Sequence, residues 1–476
     1  LVLASDNHFD DDFRREVGFA LKSPVELIFT PPDKLSNALN RFYAADTGNA
    51  GRTLWVVDSQ LRHEDVSPDE AVAKITQNIL TEAVRLNASD IHIQSFMGGG
   101  LVRYRVDGLL MRGNSLPLSV KDSVLRYVLT QSALDISNHS TPQDGRLRVN
   151  IDGKTFDLRV SYLPSFDDAR LVMRLLYQGR NFALSSLELP HHDRSTLNQL
   201  CHHTRGLILF TGPTGSGKTT SLYALLTQMN KPEINIMTAE DPVEYQLQGI
   251  SQIEIDQKRG RTFDTILKSM LRQDPDVILV GEIRDAETAQ MAMRAVMTGH
   301  LVLSTLHTQN ALGAVQRLID LGVTQGQLAE GLIAVIGQRL ARKLCEHCAE
   351  TIAEMRPLEQ LFFDNYSERP GRRAIGCESC HYTGYKGRFP MVEIYRPDSK
   401  ARERLRQKTY LSEPDLELKR DLVRVGTQAV VSGITSIEEI TRVLGAEYWG
   451  RVNPYQVNTA IGMASEESDQ RKASFM

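Results

Sequence analysis

Two rhythms of hydrophobic and polar positions divide the chain. Over residues 67–176 the rhythm is first helical and then alternating. Ser67-Pro68-Asp69-Glu70 marks a helix start: Ser67 can cap it, Pro68 suits the first helical position and Glu70 completes a capping box. Val72, Ile75, Ile79 and Ala83 follow at helical spacing. In Val102-Arg103-Tyr104-Arg105-Val106 the apolar residues share one strand face and the arginines the other. Leu147, Val149 and Ile151 alternate in the same way. Asp152-Gly153 supplies a two-residue turn, and Phe156, Leu158 and Val160 return. The pattern predicts a compact α+β domain. From residue 191 onward, helices alternate with short strands that are apolar throughout, such as Leu207-Ile208-Leu209-Phe210 and Val277-Ile278-Leu279-Val280. Strands buried on both faces read this way, so a parallel α/β sheet is expected.

The flanks are less regular. Residues 1–44 read as the end of a small domain: a strand at Leu1-Val2-Leu3-Ala4, a helix over about 9–21, a strand at Val25-Glu26-Leu27-Ile28-Phe29, and a helix from Pro31-Pro32 to about Tyr43. Residues 45–66 and 177–190 read as linkers, 401–463 as a helical C-terminal region, and 464–476 as a disordered polar tail. A first residue Leu1, already inside a strand, points to a truncated start. No repeat recurs at a period of 20–50 residues.

Composition narrows the function. At about 100–200 residues per domain, 476 residues make two to four domains. A content of 41% hydrophobic and 24% charged residues excludes wholesale disorder and fibrous repeats. The 55 basic residues are outnumbered by 59 acidic ones, whereas a protein living on nucleic acid usually carries a basic excess. No stretch approaches 18 consecutive apolar residues, so no membrane span is expected. The first segment turns acidic at Asp10-Asp11-Asp12 and lacks the basic start of a signal peptide.

The strongest chemical signal is Gly212-Pro213-Thr214-Gly215-Ser216-Gly217-Lys218-Thr219, which fits G-x-x-x-x-G-K-[ST]. An apolar strand precedes it and Thr220 opens a helix. Glycines let the backbone N–H groups wrap phosphates, Lys218 reaches the β- and γ-phosphates of ATP, and Thr219 binds Mg²⁺. About sixty residues on, the apolar strand Val277–Val280 ends at Gly281-Glu282. The usual acidic position beside a P-loop is Gly281 here, so Glu282 is the residue expected to polarise the attacking water; the alternative is a surface Glu at a strand end. Glu240, in Glu240-Asp241-Pro242-Val243-Glu244, also follows an apolar strand. It is expected to help hold metal-bound water, unless the segment is a solvated acidic turn. His300 and His307 flank the next strand and are expected to sense the γ-phosphate, His307 more directly.

Four of the five cysteines form Cys345-Glu346-His347-Cys348 and Cys377-Glu378-Ser379-Cys380, with 28 residues between the pairs. Two such knuckles complete a tetrahedral, structural zinc site. Cys201 lies among His191, His192, His202 and His203, which are expected on an exposed helix.

Together these motifs resemble the secretion ATPase family, the type II secretion and type IV pilus assembly ATPases. The resemblance is densest between 205 and 345, in Gly206 to Thr220, Glu240 to Glu244, Leu271-Arg272-Gln273-Asp274-Pro275-Asp276, Gly281-Glu282-Ile283-Arg284-Asp285 and Thr298 to Thr308. Thr383-Gly384-Tyr385-Lys386-Gly387-Arg388 after Cys380 resembles members with a zinc module. Ala88 to Ile93 and Val102 to Gly108 resemble the family's N2 domain. The resemblance implies a RecA-like P-loop domain at 191–400 with a zinc module at 340–390, a PAS-like N2 domain at 67–176 and a partial N1 domain at 1–44. It implies a homohexamer peripheral to the inner membrane, on its cytoplasmic side, bound through platform proteins, with ATP held between N2 and the RecA-like domain. Arg159 and Arg174 match arginines that neutralise the γ-phosphate, and Arg272 and Arg284 match further charged positions of the site. Asp168-Ala169, Gln94 and Lys268 depart from the family pattern.

Glu244-Tyr245-Gln246-Leu247 and Asn310-Ala311-Leu312-Gly313-Ala314 lean toward the secretion branch; the alternative is a pilus extension ATPase. A nucleic-acid motor and a binding protein without turnover are readings of other classes. The acidic balance opposes the first, and the complete set of Lys218, Thr219 and Glu282 opposes the second.

Overall fold

The computed structural model describes residues 2–5, 26–29 and 68–449, apart from 139, 167, 180, 364–370, 408–410, 412–420 and 446–447. The helices expected over 9–21 and up to Tyr43, the linker at 45–66 and the tail at 464–476 lie outside the described residues. β1 (Val2–Ser5) and β2 (Glu26–Phe29) pair in parallel.

α1 (Pro68–Arg85) begins at the proline that the sequence marks. It is followed by β3 (Asp90–Phe96), β4 (Gly99–Val106), β5 (Leu109–Leu116), α2 (Leu118–Gln131), β6 (Gln143–Ile151), β7 (Lys154–Pro164) and β8 (Ala169–Tyr177). The six strands form one antiparallel sheet in the order β5-β4-β3-β8-β7-β6. Its apolar face, with Ile91, Ile93, Val102, Tyr104, Leu158, Val160, Leu171 and Met173, shares a core with Ile79 and Ala83 of α1 and with Val124 and Val128 of α2. Asp152 and Gly153 join β6 to β7 with φ of 51° and 75°, the left-handed pair that a two-residue hairpin requires. On the other face the register lines up Arg105, Asp90, Arg174, Arg159 and Arg146 across five neighbouring strands.

The segment 177–190 is packed down. Phe182, Leu184 and Leu189 are buried, and the Phe182 ring lies 5.3 Å from that of Tyr223 and 5.1 Å from that of Tyr245.

Next come α3 (His191–Leu200), β9 (Gly206–Thr211), α4 (Lys218–Met229), β10 (Ile236–Glu240), β11 (Ser251–Glu254), α5 (Phe263–Met270), β12 (Val277–Val280), α6 (Ala286–Met297) and β13 (Leu301–Leu306). They are followed by α7 (Ala311–Asp320), α8 (Gln325–Gly331), β14 (Leu332–Leu344), β15 (Glu350–Thr351), α9 (Pro357–Phe363), β16 (Arg372–Arg373) and β17 (Tyr385–Tyr395). The seven-stranded sheet runs β11-β10-β12-β13-β9-β14-β17, parallel except for the last pair. Every residue of β9, β12 and β13 is buried. Alternate side chains serve opposite layers. Leu207, Leu209, Ile278, Val280 and Val302 pack toward α5–α8, and Ile208, Phe210, Leu279 and Leu303 toward α4. This is why the strands read as continuous apolar runs.

The long β14–β17 ribbon extends past the sheet and ends at the cysteines. α10 (Ser399–Arg406), α11 (Leu422–Val431) and α12 (Ile437–Leu444) close the described chain. A buried ion network ties α12 to β14. Glu439, fully buried, accepts from Arg342 Nη2 at 2.6 Å, the Arg342 backbone N–H at 2.9 Å and Arg442 Nη2 at 2.6 Å. The Arg342 guanidinium also sits 4.0 Å from the centre of the Tyr385 ring. Among the described residues no helix is long and apolar enough to cross a membrane.

Removing one partner of such a pair leaves a buried charge without compensation. Glu439→Ala is therefore expected to cost about 3–5 kcal/mol in chemical denaturation. An unchanged unfolding midpoint would show that the network contributes no net stability.

Candidate nucleotide site and four-cysteine centre

The parallel strands end nearly in step: Ala239 pairs with Val280, Val280 with Ser304, and Leu306 with Thr211. Their C-terminal ends therefore bring residues 212–219, 240–244, 281–284 and 307 to one edge.

The 212–217 loop leaves β9 and turns into α4. Gly215 and Gly217 have φ of 79° and 88°, and Gly217 is the N-cap of α4. Lys218, 8% exposed, donates to the carbonyls of Gly212 at 2.6 Å and Pro213 at 3.2 Å. Burial pushes its ammonium down to about 8, against the pull of the Glu282 carboxylate. Ser216 Oγ is buried with no hydrogen-bond partner. A cation spent on the loop's own carbonyls, an orphaned hydroxyl and the open N-terminus of a twelve-residue helix fit a polyphosphate. Thr219 and Thr220 follow on the first turn of α4, half-buried.

Gly281 explains a sequence oddity. A Cβ there would lie 3.2 Å from the Ala239 carbonyl oxygen and 3.4 Å from Glu240 Cα, so β10 presses on the position. Glu282, one residue on, ion-pairs with Arg284, and its Oε2 lies 3.4 Å from His307 Nε2. Arg284 also lies 3.5 Å from Asp241. Burial lowers the pKa of His307, the Lys218 and Arg284 cations lower it further, and Glu282 opposes them. Lys218, Glu282, Arg284 and His307 thus form one group.

Other expected site residues lie differently. Glu240 is 4% exposed and accepts from Thr238 Oγ1 at 2.6 Å, Gln252 Nε2 at 3.1 Å and the Tyr223 hydroxyl. These contacts lock α4, β10 and β11 together. Arg159 donates to the Val243 carbonyl, and Arg174 Nε to Asp90 Oδ1 at 2.9 Å. Both line a cleft of about 540 Å³ between the antiparallel sheet and Pro242. The arginine pair thus faces the loop after β10. Arg272 donates to the Lys268 carbonyl at 2.9 Å and to Ser269 Oγ at 3.3 Å, at the C-terminal end of α5. His300 precedes β13 and caps α6 through the Ala295 carbonyl at 3.0 Å. A six-residue strand of about 3.3 Å per residue separates it from His307 by about 20 Å, so the two histidines are not brought together. Sequence reading missed Tyr223, Gln252, Asp90 and Gln338. The only signal was a polar residue in or beside an apolar run.

The four cysteines meet at the foot of the β14–β17 ribbon, with their sulfurs within 4.8 Å of one another. Cys345 and Cys377, Cys348 and Cys380, and Cys377 and Cys380 are each 3.8 Å apart. A tetrahedral ion with metal–sulfur bonds of about 2.3 Å places its ligands about 3.8 Å apart. Backbone N–H groups of Gly376 and Gly384 each point at a sulfur at 3.3 Å. The donor set and its geometry fit zinc.

The sequence model of the family described as "Type II/IV secretion system protein" matches residues 65–442. The chain belongs to this family. It is 40% identical to Type II secretion system protein E of Dickeya dadantii over 401 residues, 82% of this chain and 78% of that protein. It is 39% identical to Type II secretion system ATPase E of Vibrio cholerae over 389 residues, 80% of this chain and 76% of that protein. Among solved structures, the pilus retraction motor PilT with bound ADP is similar at a TM-score of 0.55 and 25% identity, covering 77% of this chain and 96% of that one. The α/β fold, with its mostly parallel sheet, is that of a secretion ATPase.

Exchange of Cys345 and Cys348 for Ser should remove one bound zinc per chain and loosen residues 340–390, while the 212–217 loop stays protected. Metal analysis with hydrogen exchange checks this; a metal-free parent protein would refute it.

Proposed function

We propose that this chain is an ATPase that powers pseudopilus assembly and protein export through a type II secretion system, at the cytoplasmic face of the inner membrane. The observation that carries it is the buried Lys218, set in a glycine loop at a helix N-terminus with Glu282 at the end of a nearby strand of the same sheet. The name of the Vibrio cholerae relative, a type II secretion system ATPase, supports the substrate class.

In this reading the loop N–H groups and Lys218 hold the β- and γ-phosphates, and Thr219 holds Mg²⁺, which neutralises the charge developing on the phosphates. Glu282 orients and polarises the attacking water. Arg284 and His307 fix the carboxylate before substrate arrives. Glu240 positions β10 and the loop behind it. Residues 67–176 are the N2 domain. Arg159 and Arg174 reach the γ-phosphate only when N2 closes over the nucleotide, a closure that a homohexameric ring would hold. The four cysteines hold structural zinc. Platform proteins of the inner membrane anchor the ring. A pilus extension ATPase is the second reading, and the likeness to the pilus retraction motor PilT gives a pilus role the weaker support.

Lys218→Ala should abolish ATP turnover with the fold intact. Glu282→Gln should keep nucleotide affinity and lower turnover by about 10²–10⁴, since an amide cannot act as the base. Binding and hydrolysis falling together would make Glu282 a structural residue.

Affinity should also depend on pH. A bound polyphosphate favours charged Lys218, so binding takes up a proton wherever the free ammonium has already lost it. ADP affinity should be full below pH 8 and fall by up to about tenfold per unit above it. A flat profile from pH 7 to 10 would remove Lys218 from the phosphate contact.

A further inference from the structure

The nucleotide loop is held from behind by a residue outside its motif. β14 pairs with β9 up to Gly337 opposite Thr211, so Gln338 arrives beside Gly212, where the loop begins. A Cβ on Gly212 would lie 2.4 Å from the Gln338 carbonyl oxygen, and one on Gly217 would lie 2.8 Å from Gln338 Nε2. Gln338 therefore fills the space that these two glycines leave. Gln338 is 1% exposed, and both ends of its amide are bonded. Nε2 donates to the Ser216 carbonyl at 2.9 Å, and Oε1 accepts from Ser221 Oγ at 2.9 Å. The amide orientation follows from the partners, because a carbonyl can only accept.

We propose that Gln338 is a positioning residue for phosphate binding: its amide fixes the Ser216 peptide so that the N–H groups of the loop converge on the nucleotide. This rests on the nucleotide reading above and adds a residue to it. A glutamine is needed because one end must donate to the loop while the other accepts from α4. Glutamate has no donor and would set a carboxylate against a carbonyl. Methionine has similar bulk and no hydrogen bond.

The test measures ADP binding, ATP kinetics and thermal unfolding of the full chain. Gln338→Met should raise the ADP Kd and the ATP KM about tenfold, the loss of one buried hydrogen bond, with kcat within about threefold of the parent. It also strands the buried Ser221 hydroxyl. Adding Ser221→Ala removes that orphan, so the double variant should regain thermal stability while its ADP affinity stays weak. Parental Kd in Gln338→Met, or affinity recovering in step with stability in the double variant, would overturn the proposal. A parent protein that binds no ADP would refute the nucleotide reading itself, which separates the two failures.

Discussion

Parallel pairing in register, with β9 between β13 and β14, is the constraint on which the rest of the molecule depends. Parallel strands send all their C-terminal ends to one edge, and their crossover helices cover both faces. The strands must then be apolar throughout, and polar chemistry is confined to the loops at their ends. Gly212 to Thr219, Glu282 and His307 share one edge of the sheet for that reason. Glu240 sits inside the rule's exception: a carboxylate in a buried strand, tolerated because three donors satisfy it.

The antiparallel sheet answers a different demand. One of its faces carries the core, and the other is free to carry charge. Asp90 separates Arg105 from Arg174 across the strands and pairs with both. The seam between the two sheets is polar: Arg159 reaches the Val243 carbonyl, Arg146 pairs with Glu254, and Asp107 accepts from the Gly387 N–H and pairs with Arg388. Polar seams of this kind resemble transient interfaces, and relative motion across them is the ordinary expectation. The interior of each unit is mostly apolar, with buried polar groups such as Gln338 and Glu439 bonded in place, so motion would concentrate at the seam.

The ribbon of β14 and β17 links three regions that are distant in sequence. Gln338 touches the 212–217 loop, Arg342 is bound into the Glu439 network, and Cys345 follows the last residue of β14. A strand is stiff along its length. Seven residues of backbone thus run from Gln338, which is hydrogen-bonded to the loop, to Cys345 of the cysteine centre.

Much of the local structure was legible in the residues themselves. The glycine loop entering α4, the two CxxC pairs, the Asp152-Gly153 turn and the apolar runs of the buried strands are local patterns. Each depends on spacings of a few residues that backbone geometry enforces wherever they occur. Registers, partners and ends of strands are not local. His300 and His307 flank one strand symmetrically in sequence, yet only His307 lies at the edge where the parallel strands end. Gly281 stands where β10 leaves little room for a side chain, and the segment 177–190 reads as a linker although Phe182 is anchored between Tyr223 and Tyr245. The sequence by itself determined which residue types stand at the spacings that phosphate and metal binding require. The tertiary structure decided which of them meet, because meeting depends on pairing between separate segments, from 24 residues apart (Val277 with Leu301) to 126 (Thr211 with Gly337).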